Sequence, residues 1–99
     1  MPKSKPRAVV SPDAQEDLKR LPGNIRRRMI VAIDALEVSL HPARSKRLGV
    51  EGDSREVRRL RLDKWRMIYL ILEEQPIILA IRKRPPYNYE DLRNLIEER

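Results

Sequence analysis

Arg58, Arg59, Arg61, Lys64 and Arg66 place five cations within the twelve residues RRLRLDKWRMIY, a stretch that otherwise reads as two sheet strands. Guanidinium groups spaced this closely suit one kind of chemistry. They grip phosphate or carboxylate in two-pronged contacts and stabilise negative charge developing on a phosphoryl oxygen. They are poor proton carriers, because guanidinium stays protonated at any ordinary pH. A sheet that only had to fold would avoid the arrangement, since like charges directly opposed on adjacent strands repel.

Alternation places these cations. With Asp63–Lys64 as a two-residue turn, Leu62 pairs with Trp65, Arg61 with Arg66 and Leu60 with Met67. Leu60, Leu62, Trp65, Met67, Tyr69 and Ile71 then line one face, the core side. Arg59, Arg61 and Arg66 share the other, with Arg61 opposite Arg66. The next strand, PIILAIRKR, adds Arg82 and Arg84 to that face in one register, or Lys83 in the other. Lys64, in the turn, is a further candidate contact to RNA. Tyr87 and Tyr89 follow the last basic run, where an aromatic ring can stack a nucleobase. Tyr89 also forms a helical stripe with Leu92 and Ile96, so a core role stays open for it. The alternative for the arginines is an ordinary solvated surface. No acidic residue within these strand spans lands on the Arg59 face.

The elements that must carry this face follow from local signals. Residues 1–6 form a loose basic lead-in and RAVV (7–10) a short strand. Ser11 is a helix N-cap, with Pro12 at the first helical position and Asp13 in the first turn. Ala14, Leu18 and Leu21 form that helix's stripe before the PG break. Asn24 is expected to cap a second helix whose stripe is Ile25, Met29, Ala32, Ile33, Leu36 and Leu40. Arg26, Arg27 and Arg28 mostly face away from that stripe, as a solvated face or an auxiliary nucleic-acid contact. His41-Pro42 stops the helix, and ARSKRLGVEGDS reads as a loop. Three strands follow, the last two nearly continuous apolar runs that suit central positions covered on both faces. A helix starting near Asn88 closes the chain, with Glu90 and Asp91 at its positive end. The expected class is α+β, in the order strand, helix, helix, three strands, helix.

The 99 residues suit one domain spanning 1–99. Lys and Arg number 22 against 15 Asp and Glu, and the resulting +7 points to a polyanionic partner, nucleic acid or an acidic protein. With no Cys and one His, disulfides, thiol nucleophiles and Cys- or His-built metal sites are excluded. No cofactor is expected. No signal peptide and no apolar run of the ~20 residues needed to cross a bilayer are visible, so the expected location is cytoplasmic.

The segments KRLGVEGDSREVRRLRLDKWRMIYLI and AIRKRPPYNYEDL, with the opening VVSPDAQEDLKRLP, resemble the RelE/ParE superfamily of toxins from bacterial toxin–antitoxin pairs. Trp65 stands at a position where the family's strand motif carries Tyr. The resemblance implies a RelE-like fold: an antiparallel or mixed sheet of about four strands, two N-terminal helices on one face and a C-terminal helix. It implies a growth-inhibiting toxin held by a cognate acidic antitoxin, monomeric when free and hetero-oligomeric in the complex, with no membrane partner. RelE-type members are endoribonucleases that cleave mRNA in the ribosomal A site. ParE-type members poison DNA gyrase instead. Carried over by position, the catalytic basic pair falls on Arg59 and Arg61, the phosphate contact on Arg66, the strand-closing Arg on Arg84 and the stacking Tyr on Tyr89, or on Tyr87. RelE-type nucleases can carry Lys where Arg59 and Arg61 stand here, so this chain keeps the charge and loses the easier proton carrier. The expected activity is metal-independent cleavage through the RNA 2′-hydroxyl, with a gyrase inhibitor or a weak RNA-binding homologue as alternatives.

Overall fold

Ser11 does two jobs where the first strand turns into the first helix. In the computed structural model, which describes residues 7–50, 53–83 and Ile96, its Oγ accepts from Ala14 N and donates to Leu79 O, both at 3.1 Å. The N-cap expected at Ser11 therefore also ties helix α1 (Pro12–Arg20) to a strand far along the chain. Helix α2 (Gly23–Leu36) starts two residues earlier than expected. Its N-cap is Pro22, with no side-chain cap bond, so Asn24 lies inside the helix instead of capping it. Arg26 supplies the missing order. Its guanidinium donates to Leu18 O, Lys19 O and Leu21 O at 3.0–3.2 Å, capping carbonyls at the C-terminal end of α1. Arg26 is thus a structural cap rather than part of a solvated face.

The sheet has the order β1-β5-β4-β3-β2. Its strands are β1 (Val9–Val10), β2 (Ser45–Val50), β3 (Asp53–Leu62), β4 (Trp65–Leu72) and β5 (Gln75–Lys83). β1 runs parallel to β5 and the other pairs are antiparallel, so the class is α+β with a mixed sheet. Two corrections concern its edges. Residues 45–50, expected as loop, form β2, and the sheet has five strands rather than about four. SKRLGV is polar at its start and carries Gly49 where the register slips between Leu48 and Val50, so it has no alternating pattern of its own. Its strand character comes from pairing with β3. Leu40 lies beyond the end of α2, where its carbonyl accepts from Tyr69 Oη at 2.8 Å.

Both turns that join β3, β4 and β5 hold two residues. Glu73 and Glu74 both have positive φ, 50° and 66°, the geometry whose twist matches flanking antiparallel strands. Side chains divide between two apolar layers. Leu60, Leu62, Met67, Tyr69, Ile78 and Ile81 pack against Ala14, Ile25, Met29, Ile33 and Leu36 of the helices. Leu48, Val57, Ile68, Leu70, Ile77, Leu79 and Ala80 form the opposite layer with Ile96. Covering on both faces explains the continuous apolar runs of β4 and β5. The expected lead-in at 1–6 and the C-terminal helix, apart from Ile96, lie outside the described residues.

Between Ile68 and Tyr69 the register of β5 shifts: Ile68 pairs with Ala80, but Tyr69 with Ile78. Leu79 and Ala80 consequently fall in the same layer. Two α1 side chains hold this bulge. Ser11 bonds Leu79 O, and Asp17 Oδ2 accepts from Ile81 N at 2.9 Å. Ser11→Ala removes both the cap and the strand contact. A loss of about 1–2 kcal/mol is expected, read as a lower urea midpoint at unchanged slope.

Candidate functional site

The hairpin register is the one alternation demands: Leu62 faces Trp65, Arg61 faces Arg66 and Leu60 faces Met67. Arg66 in turn faces Arg82. Three arginines therefore stand in direct register across three neighbouring strands, on the sheet face away from the helices. The bulge in β5 resolves the alternative left open by the sequence. Counted back from the turn without it, Lys83 would share this face; with it, Arg82 does, and Lys83 falls opposite Trp65 on the helix side. Among the described candidates, the register turns Lys83 away from the cluster, and Lys64 stands in the turn outside it.

The next row on this face is Lys46, Arg59, Ile68 and Ala80, one residue from each of β2, β3, β4 and β5. Lys46 is a cation that sequence reasoning missed as a site residue, because its segment was expected to be loop. The signal was its place in KRLGVEG, the stretch that carried part of the family resemblance. Arg59 is half-buried, and its Nε is buried with no hydrogen-bond partner. Arg61 and Lys64 are exposed. Arg84, Tyr87 and Tyr89 lie outside the described residues.

Arg66 occupies the centre of the first row and is only 3% exposed. Its Nη1 donates to Asp63 O at 2.9 Å and to Trp65 O at 3.0 Å, so the β3–β4 turn orients the guanidinium. That turn is itself braced. Asp63 has φ 55°, and its carboxylate takes a 2.6 Å bond from Arg28 of α2. Arg28 thereby has a structural partner, unlike the free solvated side chain expected of its run.

The helix-side face of the same strand shows what an arginine with a local acid looks like. Arg58 donates to Glu56 at 3.0 Å and to Ser45 Oγ at 2.9 and 3.1 Å, and His41 Nε2 lies 2.9 Å from the same Glu56 carboxylate. His41 thus has a partner beyond its role in stopping the helix. Burial pushes the Glu56 carboxyl up, but the hydrogen bonds and charges of Arg58 and His41 outweigh it and hold the group below the ordinary glutamate value. Burial also pushes the Tyr69 phenol up, against opposing effects of Ser45 and Arg58. The acid-paired arginine and the cation rows occupy opposite faces of β3.

This arrangement can hold one or more phosphates against a fixed set of guanidinium groups. Among the described residues, no group of three His, Cys, Asp or Glu side chains could hold a metal ion. None of the described helices is long and apolar enough to cross a membrane.

Residues 8–85 match the family of ParE toxins of type II toxin–antitoxin systems, parDE. The chain is a toxin of the RelE/ParE superfamily. No curated protein matches it in sequence. Among solved structures, this toxin is similar to RelE in the archaeal RelE–RelB complex from Pyrococcus horikoshii OT3. The TM-score is 0.71 at 25% identity, over 84% of this chain and 99% of that one. The toxin–antitoxin complex RelBE2 of Mycobacterium tuberculosis matches with a TM-score of 0.65 at 21% identity, over 83% and 94%. A double arginine-to-alanine mutant of E. coli toxin RelE in the free state matches with a TM-score of 0.69 at 14% identity, over 95% and 97%. The two less similar matches speak to the fold alone. The fold of this toxin is the RelE fold.

Glu56 provides a test of the helix-side network. Its folded-state pKa is depressed, so the stability it contributes is present above the unfolded value and lost as pH falls through the folded one. Glu56→Gln should therefore flatten the acid limb of a urea-midpoint profile below about pH 4.5, leaving the site face untouched.

Proposed function

We propose that this toxin is a ribosome-dependent endoribonuclease that cleaves mRNA in the A site. The observation that carries the reading is the in-register row Arg61, Arg66 and Arg82, with Arg59 and Lys46 in the row beside it. RNA brings its own nucleophile. The 2′-oxygen attacks the adjacent phosphorus, the bond to the 5′-oxygen breaks, and the products are a 2′,3′-cyclic phosphate and a 5′-hydroxyl. The proton lost from the 2′-hydroxyl leaves to solvent or the ribosome, and the departing 5′-oxygen takes one up. What the protein must supply is orientation and positive charge around the five-coordinate phosphorus.

Arg66, oriented by the Asp63 and Trp65 carbonyls, is the pre-set member of the clamp, with Arg61 and Arg82 on either side. Arg59, in the row beside it, would support the 2′-oxygen as negative charge builds there. From sequence alone, Arg84 joins the clamp, Tyr89 or Tyr87 stacks the neighbouring base, and Lys64 serves as an outlying RNA contact. Guanidinium is a weak proton carrier, so cleavage of free RNA should be slow and the ribosome should complete the site by fixing the mRNA geometry. The toxin would work in the cytoplasm, need no cofactor and be restrained by an acidic antitoxin. The RelE–RelB and RelBE2 complexes support that partner class.

The match to ParE toxins favours a second reading, inhibition of DNA gyrase by binding. Mapping mRNA ends in a translating extract, beside a gyrase supercoiling assay, separates the two. Arg61→Ala and Arg82→Ala should each lower A-site cleavage by about 10²–10³-fold while the protein stays folded. Cleavage at the parental rate in both variants would overturn the nuclease assignment. Block of supercoiling without mRNA cleavage would install the gyrase reading. A gel shift of RNA with neither activity would mark a binding homologue.

A further inference from the structure

Among the described residues, the two cation rows contain a single lysine. Lys46 of the edge strand β2 pairs with Arg59, and Arg61 lies diagonally from it on the same face. Its other neighbours on that face, Leu48 and Val57, are buried apolar residues. The Lys46 side chain is exposed and makes no hydrogen bond or ion pair among the described residues. The packing of the sheet does not call for a lysine there.

The arginines of the rows cannot do what this residue can. Guanidinium stays protonated at any ordinary pH, whereas a lysine amine exchanges its proton far more readily. The other proton-exchanging side chains beside β3 are engaged elsewhere. His41 and Glu56 bond each other on the helix side, Tyr69 donates to Leu40 O, and Asp63 is held by Arg28 at the turn. Lys64 stands in that turn, and Lys83 lies opposite Trp65 on the helix side.

We infer that Lys46 is the general acid of the cleavage step, protonating the departing 5′-oxygen. This rests on reading the chain as an A-site nuclease, and it fills a task which that reading gives to no side chain. A lysine amine is ordinarily an ammonium at neutral pH, the right state to give a proton and the wrong one to take it from a 2′-hydroxyl. As the bond from phosphorus to the 5′-oxygen breaks, its electron pair passes to that oxygen, and Lys46 Nζ transfers a proton to it. The products of the transfer are a 5′-hydroxyl and a neutral amine, which water reprotonates.

The four-carbon stem, rooted beside Arg59, lets the ammonium follow the oxygen as it leaves. Arg66 is oriented by turn carbonyls, but Lys46 has no such anchor. It reaches a productive geometry only against an mRNA that the ribosome holds still. A plain phosphate contact at this position would need charge alone, which an arginine would supply at least as well.

The test uses the full-length protein in single-turnover cleavage on ribosomes carrying mRNA in the A site. Once the scissile phosphate is mapped, two mRNAs are compared, with oxygen or with sulfur as the 5′-bridging atom there. A thiol is much more acidic than an alcohol, so the sulfur departs without needing a proton. Lys46→Arg and Lys46→Met should each lower the rate on the oxygen mRNA by about 10²-fold or more, yet cleave the sulfur mRNA as the parent does. The toxin concentration giving half the maximal rate should stay unchanged in Lys46→Arg, as should the urea midpoints of both variants. Arg82→Ala, which removes a clamp residue, should slow both mRNAs alike. Parental cleavage of the oxygen mRNA by Lys46→Arg would reduce Lys46 to a charge contact, and equal slowing on both mRNAs would make it part of the clamp. Either result overturns the acid assignment and leaves the nuclease reading standing. A parent that cleaves neither mRNA would bring down both.

Discussion

The bulge in β5, held by Ser11 and Asp17 of α1, fixes which side of the sheet each later residue of that strand faces. One extra residue on one strand inverts the alternation for everything beyond it. Ile81 is thereby returned to the helix-side core and Arg82 delivered to the far face opposite Arg66. Both consequences depend on polar contacts made by a helix at the other end of the sequence: a hydroxyl on Leu79 O and a carboxylate on Ile81 N. Helix packing and site assembly are therefore one problem in this fold.

The cation row is unfavourable to the isolated protein. Directly opposed like charges each cost up to about 1 kcal/mol on the scale of cross-strand pairs, and the central guanidinium is nearly out of water. Turn carbonyls take part of the Arg66 hydrogen-bonding capacity, and the turn is itself tied to α2 through Asp63 and Arg28. The molecule keeps an acid beside Arg58 on the opposite face of the same strand, so it has the means to neutralise an arginine where neutralisation serves the fold. The two faces of β3 thus show contrasting electrostatic arrangements along ten residues.

What the sequence revealed follows from how local its causes were. The Leu60–Leu62–Trp65–Met67–Tyr69 stripe and the pairing of Arg61 with Arg66 depend only on period two and a two-residue turn, and both read directly. The Ser11 cap read equally well, since N-cap, Pro and acid sit in consecutive positions. Features set by distant partners did not read. β2 owes its extension to β3, and Lys46 was hidden with it. The choice between Arg82 and Lys83 turned on a bulge stabilised from α1. Arg26 looked like one of three solvated cations, yet it caps the carbonyls of the preceding helix. Arg84, Tyr87 and Tyr89 remain sequence-level assignments.

Ile96, at 1% exposure, belongs to the apolar layer of Ile68, Leu70 and their neighbours on the same sheet face as the arginines. Successive strands lie roughly 4.8 Å apart, so three in-register cations mark out a line of about 10 Å running across the sheet. Any extended polyanion that uses all three must cross β3, β4 and β5 nearly at right angles, with an apolar wall along one flank. The weave of the sheet, more than any single side chain, sets the direction in which such a ligand can be threaded.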